Sequence, residues 1–184
     1  EFIVPDVWED MVESVCNAEI WSDYIFPKGV EKVAVVQANT IEEASECTRI
    51  YKSLGYKKIA YSYGASYYDN IFFHPNKDLG KALGRMYVIS RLYHQGALRK
   101  NDRIHLLGCS VPQEFGWYKG INCIESIDTS NPVMSTLEGI AYTNSGLYIK
   151  PKANINNFFY IESNKIDYNL LDYNLTKFKQ INNI

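Results

Sequence analysis

Three polar side chains end apolar runs of this sequence, and their chemical types suit work on a sugar carbon and a planar base. Asp6 follows FIVP, Gln37 follows VAVV and Asp128 closes IESI. A carboxylate can attack or stabilise an oxocarbenium-like carbon, and a carboxylate and an amide can accept and donate hydrogen bonds at the edge of a base. Because buried carboxylates and amides are costly unless they are paired or used, these residues are the first site candidates.

Glycine-containing turns and tyrosines follow other apolar runs. Gly64 comes directly after Tyr63, and Gly108 follows the run RIHLL. A glycine allows the backbone to approach a ligand closely, so the turns at Tyr63–Gly64 and at Gly108 join the inventory of candidate strand ends. Three more tyrosines can either stack on a base or pack in the core: Tyr61, Tyr67 and Tyr68.

Each polar candidate also has a simpler structural interpretation. Asp6 can be only the N-cap of the next helix, which is a common role for an Asp at a strand end. That role is less needed at Asp128, because the side chains at 129–131 already supply caps. Gln37 is harder to explain in this way, since residues 38 and 39 could make the turn without burying an amide. A ligand contact is therefore favoured for Gln37.

The histidine and cysteine of RIHLLGC are interpreted as core residues. His105 alternates with Leu106 inside a strand pattern, which is typical of a satisfied core histidine rather than a base. Cys109 has no adjacent cationic residue that would activate its thiol. Since no cysteines and histidines have the spacing of zinc ligands, we predict neither a metal nor another cofactor.

Cationic residues are concentrated between positions 77 and 103. The acids in this stretch are only Asp78 and Asp102, whereas the cations are Lys77, Lys81, Arg85, Arg91, Arg99, Lys100 and Arg103. Such a cluster is usually a solvated helix face, but it can also hold phosphates, which fixes position without reading sequence. Lys81, Arg85 and Arg91 are the candidate contacts to a nucleic-acid backbone.

A strand–helix–strand unit at 33–63 is the clearest structural pattern. VAVVQA is typical of a strand that is covered on both faces. Thr40 and Glu43 form a capping box, and the apolar residues from Ile41 to Leu54 fall on one helical stripe that ends at Gly55. KIAYSY then predicts a second strand, parallel to the first and reached by a right-handed crossover.

The same alternation continues along the chain. FIVPDV precedes a predicted helix near 8–20, and RIHLLGC precedes a short helix that runs from Ser110 to Gly120. KIAYSY leads through a predicted loop into a long helix near 77–98. INCIESID is the fifth predicted strand and GLYIK is a candidate sixth. Residues 166–182 have helical spacing and predict a C-terminal helix.

Strands that alternate with helices indicate an α/β fold. A doubly wound nucleotide-binding sheet is disfavoured, because neither GxGxxG nor GxxxxGK[ST] occurs. We therefore predict a TIM-type (β/α) barrel that forms a single catalytic domain, residues 1–184. Eight βα units need roughly 200–250 residues, and the sequence begins at Glu1 within a strand pattern. The barrel is thus expected to be incomplete or shortened at its N-terminus.

The bulk composition is that of a folded domain without strong charge. Hydrophobic residues make up 46% and the formal net charge is −2, which disfavours a uniformly cationic nucleic-acid binder but leaves a local patch open. No apolar run approaches the roughly 18 residues of a membrane span, so no membrane partner is expected. Four cysteines without a CxxC pair fit free thiols and predict a cytoplasmic protein.

Four segments together resemble the queuine/archaeosine tRNA-guanine transglycosylase superfamily. They are FIVPDV, VAVVQANTIEEASECTRIYKSLGYKKIAYSY, IHLLGCSVPQEFGWYKGI and IESIDTSNPV. The likeness is greatest to the phage and bacterial relatives that insert 7-deazaguanines into DNA, and it covers residues 2–140.

The resemblance implies a TIM barrel that exchanges guanine for a 7-deazaguanine base in nucleic acid. Asp128 would be the nucleophile that forms a covalent glycosyl-enzyme, with Glu125 as the alternative on the same strand. Asp6, Gln37 and Gly108 would recognise the base. The implied partners are DNA, favoured over tRNA, and the deazaguanine base, in the host cytoplasm if the gene is a phage gene. A buried site would require the nucleotide to be flipped out, with tyrosines such as Tyr63 available for stacking.

Two departures from the family pattern leave other interpretations open. The DSGG segment, which carries the family's acid/base Asp, is absent and would lie before Glu1, so either it is missing from this chain or the protein is a degenerate relative. A homodimer or a partner subunit that completes the site is a further expectation. The zinc site of the tRNA branch is also absent, which favours the DNA branch. The alternatives are a different barrel enzyme that uses Asp6 and Asp128 on a nucleoside or sugar, and a non-catalytic relative that binds nucleic acid or a partner.

Overall fold

Five parallel strands form one sheet in the computed structural model, which describes residues 1–152 and 160–184. The strands are β1 Phe2–Ile3, β2 Lys32–Val36, β3 Lys58–Ser62, β4 Arg103–Leu107 and β5 Ile124–Asp128. Their order in the sheet is the order in the sequence, and every neighbouring pair is parallel. All five strands therefore end at the same edge of the sheet.

Helices connect the strands and follow the last one. They are α1 Met11–Ser22, α2 Ile41–Ser53, α3 Tyr67–Ile71, α4 Lys77–His94, α5 Asn131–Leu137 and α6 Tyr168–Asn182, with 3₁₀ helices at Pro112–Tyr118 and Ser163–Lys165. Among the described residues, no helix is long and apolar enough to cross a membrane.

Local sequence signals set the starts of the long helices. Thr40 Oγ1 accepts a hydrogen bond from the Glu43 backbone N–H at 3.0 Å, which fixes the first turn of α2. Asp10 caps α1 in the same way through the N–H of Glu13 at 2.9 Å, and Asn76 caps α4 through Leu79 at 3.1 Å. Asp10, not Asp6, is thus the N-cap of the first helix.

The two faces of the sheet are covered differently. Successive residues of a strand point to opposite faces, so Ala34, Ile59 and Ile104 face the main core together with the apolar residues of α2 and α4. Val33, Val35 and Ala60 form a second, small cluster on the other face. Buried residues of α1, α2 and α4 all belong to the main core, so these helices pack on the same face of the sheet.

The structure confirms the α/β class and the parallel unit at 33–63, and it revises several boundaries. The first helix begins at Met11 rather than near 8. The helix after Ser110 is a 3₁₀ helix, and α3 lies in a segment that we predicted as a loop. The C-terminal helix is confirmed within two residues.

GLYIK does not form the sixth strand that its pattern suggested. Side chains, rather than a neighbouring strand, bind its backbone. Gln113 pairs with both the N–H and the C=O of Leu147, at 3.1 and 2.8 Å, and Asp78 accepts from the N–H of Lys150 at 2.9 Å. These contacts fix 147–150 as an irregular segment against the 3₁₀ helix and α4.

Arg85 on α4 and Glu114 on the 3₁₀ helix form an ion pair with no exposed surface on either side chain, at 2.6 Å. The Arg85 guanidinium also donates to the carbonyl oxygens of Tyr61, Leu107 and Gly108, at 3.1, 3.0 and 2.8 Å. Burial is the largest single influence on the Arg85 pKa and lowers it, but Glu114, Tyr118 and Tyr68 together outweigh burial, and the Arg85 pKa is raised. One cation thus ties a helix to the ends of β3 and β4.

We expect Arg85→Met to destabilise the fold by about 3–5 kcal/mol, because it leaves the Glu114 carboxylate buried without its counter-ion. Denaturant unfolding followed by circular dichroism measures this loss as a lower midpoint at an unchanged slope. Arg91→Met is the matched control, since Arg91 is exposed on the same helix and its replacement should change stability by no more than about 0.5 kcal/mol. Equal losses of stability in the two variants would contradict the role of Arg85 as the buried counter-ion of Glu114.

Candidate functional site

Asp128 stands at the end of β5 with one carboxylate oxygen held and its side chain 61% exposed. Its Oδ1 accepts from the backbone N–H of Gly108 at 2.8 Å and lies 3.4 Å from His105 Nε2. The other ring nitrogen of His105 hydrogen-bonds with Ser126 Oγ at 2.8 Å. The Asp128 carboxylate is therefore held in place through Oδ1, and the exposed part of its side chain is accessible to a ligand.

Gly108 can make this contact because of its backbone conformation. Its φ of +62° is one that side-chain-bearing residues rarely adopt, and a Cβ there would lie 2.5 Å from Cδ1 of Tyr63. Tyr63 itself receives a hydrogen bond from Lys150, whose Nζ lies 3.9 Å from the ring centroid. Asp128, Gly108 and Tyr63 are thus brought together, because they lie at the ends of three neighbouring strands, β5, β4 and β3.

Asp6 and Gln37 form a second group at the same edge of the sheet. The Gln37 Nε2 group donates to Asp6 Oδ2, and Gln37 Oε1 accepts from the N–H of Glu9 at 3.0 Å. Gln37 is only 3% exposed, whereas Asp6 is exposed. The amide that we singled out for a ligand is therefore hydrogen-bonded at both ends by the loop between β1 and α1.

That loop crosses the ends of the first three strands. Glu9 has a φ of +56° and is held by three neighbours: Gln37, the Asn39 amide at 2.8 Å and the N–H of Ser66 at 2.7 Å. Hydrogen bonding from Ser66 lowers the Glu9 pKa. Trp8 lies against Gly64 and is 55% exposed, which leaves part of the residue open to solvent.

The sequence reasoning missed Trp8 and Glu9. An aromatic two positions after a candidate ligand, in VWED, was an available signal for Trp8. No pattern in the sequence signals the left-handed conformation of Glu9, because contacts with residues 37, 39 and 66 impose it.

The two groups lie apart along the sheet edge. Three strand spacings of about 4.8 Å each separate the end of β2 from the end of β5, roughly 14 Å along a flat sheet. A cavity of about 210 Å³ is lined by Tyr63 and Gly108 but not by Asp6 or Gln37. Asp128 and the Asp6–Gln37 pair thus share an edge of the sheet, and this cavity is not common to them.

The three predicted backbone-binding cations lie in different environments. Arg85 is fully buried, and its guanidinium is occupied by Glu114, so the prediction of a phosphate contact is wrong for this residue. Lys81 is half-buried near the strand ends, 3.3 Å from the carbonyl oxygen of Gly64. Arg91 is exposed on α4.

Burial explains the other titratable residues near the strand ends. It raises the pKa of the Cys109 thiol to about 12, which agrees with an inert buried cysteine and not with a nucleophile. Tyr61, Tyr67 and Tyr68 are buried in the core, so they pack rather than stack on a ligand.

Hydrogen bonds from Arg103 at 2.8 Å lower the Glu125 pKa. These contacts place Glu125 in an ion-pair cluster with Arg103 and Lys58 at the opposite end of the sheet from Asp128. Within residues 1–152 and 160–184, no group of three or more His, Cys, Asp or Glu side chains could hold a metal ion.

Fold and site together define an α/β protein with a five-stranded parallel sheet and polar side chains at the carboxyl ends of its strands. Ligands bind at that edge in open and closed α/β sheets alike. No protein-family model matches the chain, and comparison with curated proteins also finds no match.

We expect Gly108→Ala to destabilise the protein by about 1–3 kcal/mol, because alanine is strained at this φ and its methyl group would meet the Tyr63 ring. Thermal unfolding of the single variants and of Gly108→Ala/Tyr63→Ala separates the two causes. The double variant should recover part of the loss, since the ring is then absent. If the stability losses of the two single variants simply add in the double variant, the Tyr63 ring does not oppose a side chain at position 108.

Proposed function

We propose that this protein is a base-exchanging glycosyltransferase that replaces guanine with a 7-deazaguanine base in nucleic acid, with DNA favoured over tRNA. The observation that carries the proposal is the state of Asp128. One of its oxygens is bound by the Gly108 N–H and adjoins His105, while its side chain is largely exposed at a strand end. A nucleophilic carboxylate needs this combination of fixed orientation and access.

The reaction would proceed by two displacements at one sugar carbon. Asp128 attacks C1′ as the bond from C1′ to guanine N9 breaks, and the electron pair of that bond leaves on N9, which takes up a proton. The incoming deazaguanine then loses its N9 proton, attacks C1′ and releases the carboxylate. The transition states are oxocarbenium-like, so a nearby anion stabilises both of them.

Base recognition is assigned to the groups beside Asp128 and in the loop between β1 and α1. The N1–H and exocyclic amine of guanine are donors on one edge, which the Asp6 carboxylate can accept, while O6 needs a donor such as the Gln37 amide. Asp6 and Gln37 already contact each other, so they can act as one recognition unit. Gly108 and Tyr63 are assigned to the side of the base nearer Asp128.

Asp128 and the Asp6–Gln37 pair can act on one nucleotide, despite their separation along the sheet edge, if the sheet belongs to a (β/α) barrel. We infer such a barrel from the sequential order of the parallel strands and from Val33, Val35 and Ala60, which are buried on the face opposite the main core. Curvature toward that face shortens the span between Asp6 and Asp128 relative to a flat sheet.

Capture of a covalent adduct tests the nucleophile. Incubation of the protein with guanine-containing single-stranded DNA, or with tRNA, should release guanine and leave the nucleic acid attached to the peptide that contains Asp128, as read by mass spectrometry. Asp128→Asn should lower adduct formation by at least ~10³-fold, because an amide is a far weaker nucleophile. Asp172→Asn, an exposed change on α6, should leave it intact.

A second candidate function is a non-catalytic nucleic-acid-binding protein. The hydrogen bonds that Gln37 makes to Glu9 through its oxygen and to Asp6 through its nitrogen favour it, since an amide that is paired within the protein needs no ligand. This alternative predicts that Asp128→Asn binds DNA as the parent does and that neither protein releases guanine.

A further inference from the structure

The pairing of β5 with β4 is interrupted by one extra residue. Ile104 is paired with Ile124, but the next residue of β4, His105, is paired with Ser126. Glu125 is therefore the extra residue of a β-bulge. Such bulges are over-represented beside active sites, where they turn a side chain to a new direction.

The bulge decides which face of the sheet the polar residues of β5 occupy. Ile124 and Ile127 both pack against the main core, although residues three apart point to opposite faces of a regular strand. Ser126 and Asp128 lie on the other face, where they meet His105 of β4. In a strand without the bulge, they would point to the core together with Ile124.

His105 meets these two side chains with its two ring nitrogens. Its Nδ1 hydrogen-bonds with Ser126 Oγ at 2.8 Å, and its Nε2 lies 3.4 Å from Asp128 Oδ1. On the other side, β3 places Ala60 opposite His105, and alanine has no polar group to offer. Since only 13% of the His105 side chain is exposed, the ring depends on β5 for its polar partners.

The carboxylate of Asp128 decides which ring nitrogen of His105 carries hydrogen. An ionised carboxylate only accepts, so Nε2 must carry an N–H in order to pair with Oδ1. The Ser126 hydroxyl can donate to Nδ1 when the ring is neutral, and it can accept from Nδ1 when the ring is an imidazolium ion. Ser126 therefore supports an N–H beside Asp128 in both charge states of the ring.

We propose that His105, held by Ser126, positions Asp128 and stabilises its carboxylate as the leaving group of the second displacement. The inference rests on the proposed function and assigns the step that the histidine assists. His105 Nε2 and the Gly108 N–H both adjoin Oδ1, so Oδ2 is the oxygen that bonds to C1′.

The charge on Asp128 changes in opposite directions in the two displacements. When Oδ2 attacks C1′, the carboxylate becomes an ester and loses its charge. In the second displacement, N9 of the incoming base bonds to C1′, its proton passes to water, and the electron pair of the bond between C1′ and Oδ2 returns to the carboxylate. Donors at Oδ1 stabilise the charged form, so they favour the second displacement and slightly oppose the first.

Single-turnover kinetics on guanine-containing single-stranded DNA separates formation of the covalent adduct from its breakdown by added 7-deazaguanine. His105→Leu removes the donor, so the adduct should form about as fast as in the parent and break down about tenfold more slowly. His105→Gln keeps an N–H donor and should restore most of the breakdown rate.

His94→Leu is the matched control, because His94 is exposed at the end of α4 and its replacement should change neither step. If His105 has only a structural role, His105→Leu slows both steps together and no adduct accumulates. That result, or an unchanged rate of breakdown, would overturn the proposal.

Proton NMR of the resting protein tests the contact between His105 and Asp128 without any substrate. An Nε2–H that is bound to the carboxylate should exchange slowly with water and give a separate signal, which disappears in Asp128→Ala. The exposed ring of His94 should give no such signal. A hydrogen on Nδ1 alone, or a signal that Asp128→Ala leaves unchanged, would contradict the positioning of Asp128 by His105. If the signal is present and the parent forms no adduct, the transglycosylase proposal fails while this positioning stands.

Discussion

The buried ion pair between Arg85 and Glu114 is the constraint on which the layout of the strand ends depends. Both side chains are withdrawn from water, and the charge of each is tolerated only because the other is present. Burial raises the Glu114 pKa even though Arg85 opposes that shift, so desolvation is the larger influence on the acid. Arg85 also donates to three carbonyl oxygens, which spreads its charge over backbone acceptors at the ends of β3 and β4.

This interaction connects the core to the candidate site through a single glycine. The carbonyl oxygen of Gly108 accepts from Arg85, while its N–H donates to Asp128. The conformation of Gly108 is therefore fixed from the buried side, and it presents one donor to the exposed carboxylate. A catalytic role for Asp128 would need the same orientation to be held through the reaction, which a rigid strand end provides better than a mobile loop does.

The elements that local patterns specify could be predicted, and those that depend on distant contacts could not. The unit at 33–63 follows from apolar runs, a capping box and a terminal glycine, all within one stretch of sequence. Arg85 looked like one cation in a solvated cluster, because its partner Glu114 lies 29 positions away. GLYIK has the composition of a strand, but side chains from two other elements bind its backbone.

The positions of the candidate site residues could likewise be predicted from the sequence, whereas the contacts between them could not. Asp6, Gln37, Gly108 and Asp128 were found because parallel strands place their ends at one edge, and the structure places all four there. Their pairings were not predictable. The alternative role that we considered for Asp6, as N-cap of the next helix, is wrong because Asp10, four residues further on, is the actual cap. The contact between Gln37 and the loop depends on the conformation of Glu9, which no local pattern encodes.

The engagement of Gln37 has a consequence for any ligand at the first strand ends. Its Oε1 is bound to a backbone N–H and one of its two amide N–H groups to a carboxylate, so a base that takes over either of these hydrogen bonds exchanges places with the loop. Such an exchange is nearly neutral in free energy, since one hydrogen bond replaces another of the same kind. Because a left-handed conformation is costly for a residue with a side chain, displacement of Glu9 from Gln37 would also relieve strain. A ligand at Gln37 would therefore be expected to move the loop that carries Trp8, and the exposed indole would move with it.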